Sequence, residues 1–311
     1  MCGIAGIIYK DSNGGHRVGR DITRMLQAMK HRGPDSTGYA LYRAPTQELV
    51  MRVKLADANQ PRDFDFAEGL RRHRVEIQGR LRGTGASVLG VEDNNEYTQT
   101  ITLAYDGDLK RLADSVESVT DAEVLSIGHA LEIIKDLGDA KTVAGAYGLE
   151  NYFGSHGIGH VRMATESDVD IANAHPYWAY PFSDVAVVHN GQLTNYHQWR
   201  RRLERAGHRF ASECDSEIIA VYLAQKLEGG ASLENAMRES LEELDGVFTY
   251  LCVSEDALGV AKDALAAKPL VLYEGDDMVA LASEEMAIRA VIDHEIETYD
   301  PYESEVMVWT R

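Results

Sequence analysis

The chain opens on a short apolar run, Cys2-Gly3-Ile4-Ala5-Gly6-Ile7-Ile8-Tyr9, which is β-branched and punctuated by glycine. It predicts a buried strand starting at the first residues, where a terminus would otherwise fray. The period then changes. Ile22, Met25, Leu26 and Met29 recur at helical spacing behind Asp21 as an N-cap, and Gly33-Pro34 ends that helix. A strand follows over 37–42. From about 45 to 154 the pattern is less orderly, with a strand over 100–104 and helical periodicity through 122–134.

Order returns over 157–215, which reads as a strand over 185–188, a turn at Asn190-Gly191, and a helix from Tyr196 that Gly207 ends. Two amphipathic helices come next. One carries Ile218, Ile219, Tyr222, Leu223 and Leu227, and the other carries Leu233, Ala236, Met237, Leu241 and Leu244 behind a capping Ser232. Strands over 247–253, 270–273, 278–282 and 305–309 bracket a helix over 284–292. Strands in blocks and helices in blocks predict an α+β layered fold rather than a doubly wound parallel sheet. No repeat or linker marks a domain boundary.

Length and charge narrow the function. At 311 residues and 44% hydrophobic content the chain can bury a large core. Its 31 Lys and Arg against 50 Asp and Glu give a net charge of -19, which repels phosphate backbones and anionic lipid. Nucleic acid and membranes are therefore poor partners. No apolar stretch approaches the roughly 20 residues of a membrane span, and Lys10-Asp11 interrupts any signal-like segment, so a soluble, cytoplasmic protein is expected. The three cysteines, Cys2, Cys214 and Cys252, suit neither a disulfide framework nor a zinc site.

Cys2 is the sharpest chemical feature. Removal of Met1 would leave a thiol and a free α-amine on one residue, with unperturbed pKa values of about 8.5 and about 8. The amine could then take the thiol proton near neutral pH, giving nucleophile and base together. Taken singly, the other candidates have plainer readings: Arg162 as a strand ion pair, Asn190-Gly191 as a turn, and Asp215 as a helix N-cap. Cys214 and Cys252 read as packing residues.

Several segments nonetheless occur in a telling order. Met1-Cys2-Gly3-Ile4 is followed by Arg32-Gly33-Pro34-Asp35-Ser36-Thr37-Gly38, then His160-Val161-Arg162-Met163-Ala164-Thr165 and Asn173-Ala174-His175-Pro176. His189-Asn190-Gly191 and Glu213-Cys214-Asp215-Ser216-Glu217 complete the series. Together they resemble the class II glutamine amidotransferases, a family of N-terminal-nucleophile enzymes, over about residues 1–43 and 156–311. The resemblance implies a four-layer α/β/β/α sandwich forming a single amidotransferase domain with an insertion at about 45–154. It implies that Cys2 attacks the side-chain amide of glutamine, forms a γ-glutamyl thioester and releases ammonia. Arg162 and Thr165 would bind the amino-acid end with Asp215, guanidinium on carboxylate and carboxylate on ammonium. Asn190 and the Gly191 N–H would stabilise the oxyanion. Arg32 and His175 match family segments near the site; by themselves they read as a helix-terminal cation and a satisfied buried imidazole.

Two departures stand out: Met163 replaces a frequent aromatic residue, and the segment 261–270 lacks its usual glycine. The ammonia acceptor is expected on a separate synthase subunit, as in glutamate-synthase-like systems including N-methylglutamate synthase, making the protein a hetero-oligomer component. Flavin and iron-sulfur centres would belong to those partners, and no cofactor is expected in this chain. The alternatives are a hydrolase of another γ-glutamyl amide and a non-catalytic glutamine-binding or regulatory subunit.

Overall fold

The computed structural model describes residues 2–11, 15–57, 60–63, 65–163 and 170–311. In chain order, β1 (Gly3–Tyr9), α1 (Val18–Ala28) and β2 (Ser36–Tyr42) open the fold. There follow β3 (Leu49–Lys54), α2 (Phe66–Gly83), β4 (Ser87–Asp93), β5 (Thr98–Ala104), α3 (Leu109–Glu117), β6 (Glu123–Gly128) and β7 (Leu131–Leu137). Next come α4 (Ala140–Ala146), β8 (His156–Arg162), β9 (Tyr177–Trp178), β10 (Ala186–Leu193), α5 (Tyr196–Arg205), α6 (Asp215–Glu228) and α7 (Leu233–Glu243). The chain closes with β11 (Gly246–Val253), β12 (Ala257–Lys262), β13 (Val271–Glu274), β14 (Met278–Ala282), α8 (Glu285–Arg289) and β15 (Val306–Thr310).

These strands build an α+β, four-layer α/β/β/α sandwich. One sheet has the order β13-β14-β1-β8-β2-β7 and the other β15-β12-β11-β10-β9. β1 is central in the first, and every residue of it is buried. Its alternation explains why it reads as a continuous apolar run: Ile4 and Ile8 join Val188, Leu251 and Val260 between the sheets, whereas Ala5, Ile7 and Tyr9 face Ile22, Met25 and Leu26 of α1. Both faces of the strand are covered, so neither can be polar. On the far side, α6 and α7 cover Val187, Tyr250 and Cys252 with Ile219, Tyr222 and Met237. Among the described residues no helix is long and apolar enough to cross a membrane.

Residues 45–154 divide their allegiance. β3 to β6 form a separate four-stranded sheet in the order β4-β5-β3-β6. β7 instead pairs with β2 from Ser36↔Leu137 to Tyr42↔Leu131, extending the first sheet of the sandwich. The satellite is tied on by ions: Arg209 bridges Asp114 and Glu117, and Glu123 bridges Lys54 and Lys135 at 2.8 and 3.4 Å.

Three local expectations are corrected. The helix expected over 122–134 is the pair β6 and β7, turned by Asp184, whose carboxylate accepts the N–H groups of His129, Ala130 and Leu131 at 2.8–2.9 Å. Asp21 does not cap α1. It lies in the first turn and accepts from the Tyr9 hydroxyl at 2.7 Å. Asn190-Gly191 is no turn either but part of β10; at Gly191, with φ 144°, a Cβ would fall 2.2 Å from the Val247 carbonyl oxygen of the neighbouring strand.

Candidate functional site

One end of the sandwich gathers the chemical groups from both sheets. Cys2 immediately precedes β1, and the register Gly3↔Val161 places it beside Arg162 at the end of β8. Gly33 lets the Arg32 turn close on the same point, since a Cβ there would lie 2.4 Å from the Arg162 backbone. The Cys2 carbonyl accepts from Arg32 Nε at 3.0 Å and from Asn190 Nδ2 at 3.3 Å. Sequence position 2 is thereby fixed by groups 30 and 188 residues away.

Arg32 is anchored in turn by Glu284, Nη1 to Oε1 at 2.7 Å. Burial would raise the Glu284 carboxyl, but hydrogen bonds from Arg32 and His31 outweigh it and hold that pKa below the usual range. The Cys2 thiol is half-buried and lies 3.9 Å from the Met163 carbonyl, a contact too long to immobilise it.

The second sheet contributes a row of backbone donors. β9 pairs only with Ala186 and Val187, so among the described residues the rest of that edge of β10 lacks a strand neighbour. Side chains take over: the His189 N–H donates to His175 Nδ1 at 3.2 Å, and the Leu193 N–H donates to Asp215 Oδ2 at 2.7 Å. Gly191 stands between these two held residues in β10 and lines the same cavity.

Asp215 thus supports β10, while the N-cap of α6 is Cys214, which makes no side-chain cap bond. This corrects the reading of Asp215 as an N-cap. The other oxygen, Oδ1, approaches Ser216 Oγ at 3.3 Å and His189 Nδ1 at 3.9 Å.

Three imidazoles back the site. His160 and His175 stack at 4.0 Å between centroids, and His189 lies 6.4 Å from His175. Burial first, then the neighbouring positive charges, lowers His160 to about 3 and His175 well below the ordinary value; burial also lowers His189. They are neutral at physiological pH. Because Nδ1 of His175 accepts, the hydrogen-bond network assigns its proton to Nε2, which faces Cys214 Sγ at 3.8 Å. The Cys214 thiol is itself raised, by burial and then by Asp215, and stays protonated.

Cys2, Arg162, His175, Asn190, Gly191 and Asp215 all line one cavity of about 980 Å³. Arg32 acts on it through the Cys2 carbonyl, and Thr165 and Met1 lie outside the described residues. The sequence reading missed three contributors: Lys268 and Cys214, which also line the cavity, and Glu284 behind Arg32. Cys214 stands inside a motif that could have marked it, whereas Lys268 lies in the segment that departs from the family pattern. Among the described residues no three His, Cys, Asp or Glu side chains stand where they could share a metal ion. What the arrangement offers is a thiol, a side-chain amide beside it, a guanidinium and a carboxylate on the wall of one cavity.

Comparison with known proteins agrees in sequence and in fold. The family model of a glutamine amidotransferase domain matches residues 160–290. The chain is 40% identical over 310 residues to a putative glutamine amidotransferase of Methanothermobacter thermautotrophicus, covering 98% of this chain and 99% of the relative. It is 34% identical over 310 residues to the glutamine amidotransferase-like protein GlxB of Rhizobium meliloti, covering 99% and 98%. The solved structure of glutamine phosphoribosylpyrophosphate amidotransferase from B. subtilis superposes with a TM-score of 0.61 at 20% identity, covering 99% of this chain and 47% of that one. That likeness is one of fold.

Proposed function

The chain belongs to the class II glutamine amidotransferase family, and on that premise we propose that Cys2, freed by removal of Met1, hydrolyses the side-chain amide of glutamine and passes the ammonia to a partner synthase. Arg162 takes the α-carboxylate of glutamine as a planar two-pronged donor. Asp215 takes the α-ammonium with Oδ1 while Oδ2 keeps its bond to Leu193. This sets the side-chain amide against the thiol at the start of β1.

The α-amine of Cys2 accepts the thiol proton, and sulfur adds to the amide carbon. Negative charge then gathers on the amide oxygen, where the Gly191 N–H and the Asn190 side-chain amide receive it. Collapse expels ammonia, which carries away the proton, and leaves the γ-glutamyl thioester. Water, deprotonated by the same amine, releases glutamate and regenerates the thiol. His175, neutral and already bonded, serves as scaffold rather than as the base, and burial keeps His160 and His189 neutral as well.

One observation carries this reading: Cys2, Arg162, Asn190, Gly191 and Asp215 line one cavity, with Asn190 Nδ2 held 3.3 Å from the Cys2 carbonyl oxygen. The acceptor of ammonia is a glutamate-synthase-like subunit on this proposal, with Thr165 completing the glutamine site and flavin and iron-sulfur chemistry residing in the partner. The test is glutamate formation from glutamine by the purified chain and by its native complex, with intact mass to show loss of Met1. Cys2→Ala must abolish turnover, and activity in that variant refutes the assignment.

A further inference from the structure

Glutamine leaves one cation and part of the cavity without a task. Lys268 lines the same cavity as Cys2. Its carbonyl accepts from the Thr249 hydroxyl at 3.4 Å, and Thr249 is the strand partner of Asn190. This puts the Lys268 backbone beside Asn190, at the amide end of the site, whereas Asp215 marks the amino-acid end; the Lys268 charge is felt at His189, the neighbour of Asn190 in β10. Its ammonium makes no hydrogen bond or ion pair with the described residues. The cavity, about 980 Å³, lies at the top of the range of roughly 300–1,000 Å³ that drug-sized ligands fill, and glutamine is much smaller than those.

We propose that Lys268 reads a carboxylate on the leaving side of the scissile amide, so that the site also hydrolyses γ-glutamyl amides whose amine portion is an amino acid. The inference rests on Cys2 as the nucleophile of the proposed reaction. Such a substrate carries two carboxylates, one for Arg162 and one for Lys268, with the reacting amide between them. Sulfur bonds the γ-carbonyl carbon, the carbon–nitrogen bond breaks, and the thiol proton leaves on the amine of the departing amino acid. Water then cleaves the thioester, giving glutamate and restoring the thiol. No oxidant or reductant is needed. A compact ammonium suits this role because it offers three donors with no fixed plane and meets a carboxylate approaching from various directions.

The test compares γ-glutamylglycine with γ-glutamylethylamide, a neutral amide of nearly the same shape, in the wild type, Lys268→Met and Lys268→Arg. A hydrogen bond to a charged group contributes about 1.5–3 kcal/mol. The expected preference in kcat/KM for the charged substrate is therefore at least about tenfold in the wild type. It should collapse to about one in Lys268→Met and largely survive in Lys268→Arg. No preference in the wild type, or an equal loss on both substrates in Lys268→Met, overturns the proposal and leaves Lys268 a general electrostatic role. Glutamine is assayed in parallel: glutamine turnover without the charge preference sinks this inference alone, and failure of Cys2 to react with any γ-glutamyl compound sinks the underlying mechanism. Should turnover await a partner, protection of Cys2 from iodoacetamide by the two amides gives the same ratio.

Discussion

His175 Nδ1 accepts the His189 backbone N–H at 3.2 Å, at the point where β9 has ended and, among the described residues, β10 has no strand neighbour on that side. A side chain thereby continues a β ladder up to the residue before Asn190. His175→Leu removes the acceptor from a buried donor, a loss of about 1–3 kcal/mol. If the strand position matters mainly in the transition state, kcat falls by about tenfold or more with little change in KM. His175→Asn, which restores a carbonyl acceptor, should recover much of the loss. A rise in KM at constant kcat would contradict this.

Asn190→Ala deletes one of the two bonds to the Cys2 carbonyl and, on the proposed mechanism, one oxyanion donor. Losing a single such donor typically costs about 2.7–4 kcal/mol of transition-state stabilisation, so kcat should drop by about 10²–10³. Unfolding midpoints should move little, since Arg32 still holds that carbonyl. Steady-state kinetics with thermal melts check both parts.

Gly191→Ala should lose activity and stability together. Its Cβ would fall 2.2 Å from the Val247 carbonyl oxygen and 2.6 Å from the Phe248 Cα, both backbone atoms that cannot swing aside. The strand must separate from β11 or distort, and overpacking of this kind costs typically 1–3 kcal/mol or more. A variant with an unshifted melting temperature and full activity would show that the strand pair is looser than the geometry indicates.

Thiol reactivity should be sharply selective. Cys214 is half-buried at the cavity wall like Cys2, but desolvation and the neighbouring Asp215 raise its thiol, and burial raises Cys252, so both stay protonated at neutral pH. Brief treatment with iodoacetamide at pH 7.5 should add one label, on Cys2, because the thiolate is the reacting form. Peptide mass spectrometry that finds Cys214 labelled first would refute this.

Acid should weaken the fold through its buried imidazoles. His156 and His160 are held by burial at about 4 and about 3, below the unfolded value of about 6.5. Below about 6.5 the unfolded chain gains protons that the native protein refuses, so stability drops as pH falls towards those folded values. Each histidine should cost about 1 kcal/mol between pH 6.5 and 5.5. Glu117 opposes them: burial raises it to about 7, so its contribution is greatest in acid and is lost as pH rises through that value. Burial also lowers His175 and His189 and raises Glu217, so the imidazoles still outnumber the carboxyls and acidification gives a net loss, readable as a lower urea midpoint at pH 5.5 than at 6.5. A midpoint that rises would mean the imidazoles are charged in the native state.

Much was legible in the sequence because it depends on neighbours along the chain. The apolar run of β1 reports burial on both faces, helical stripes such as Ile218, Ile219, Tyr222 and Leu223 report a covered face, and the ordered motifs bring Cys2, Arg162, Asn190, Gly191 and Asp215 to notice. Tertiary structure decided what depends on residues far away. The apolar spacing over 122–134 suits a helix or two strands, and Asp184, more than fifty residues on, tips it by satisfying three backbone donors at the turn. The Asn190-Gly191 pair resembles a turn until β11 lies alongside and requires the missing Cβ. Nor does the sequence show that β9 stops after two residues, which is why His175 and Asp215 complete the ladder on either side of Gly191, a residue of the cavity wall. Local pattern records which surfaces are buried; only the packed sheets determine which backbone groups remain to do chemistry.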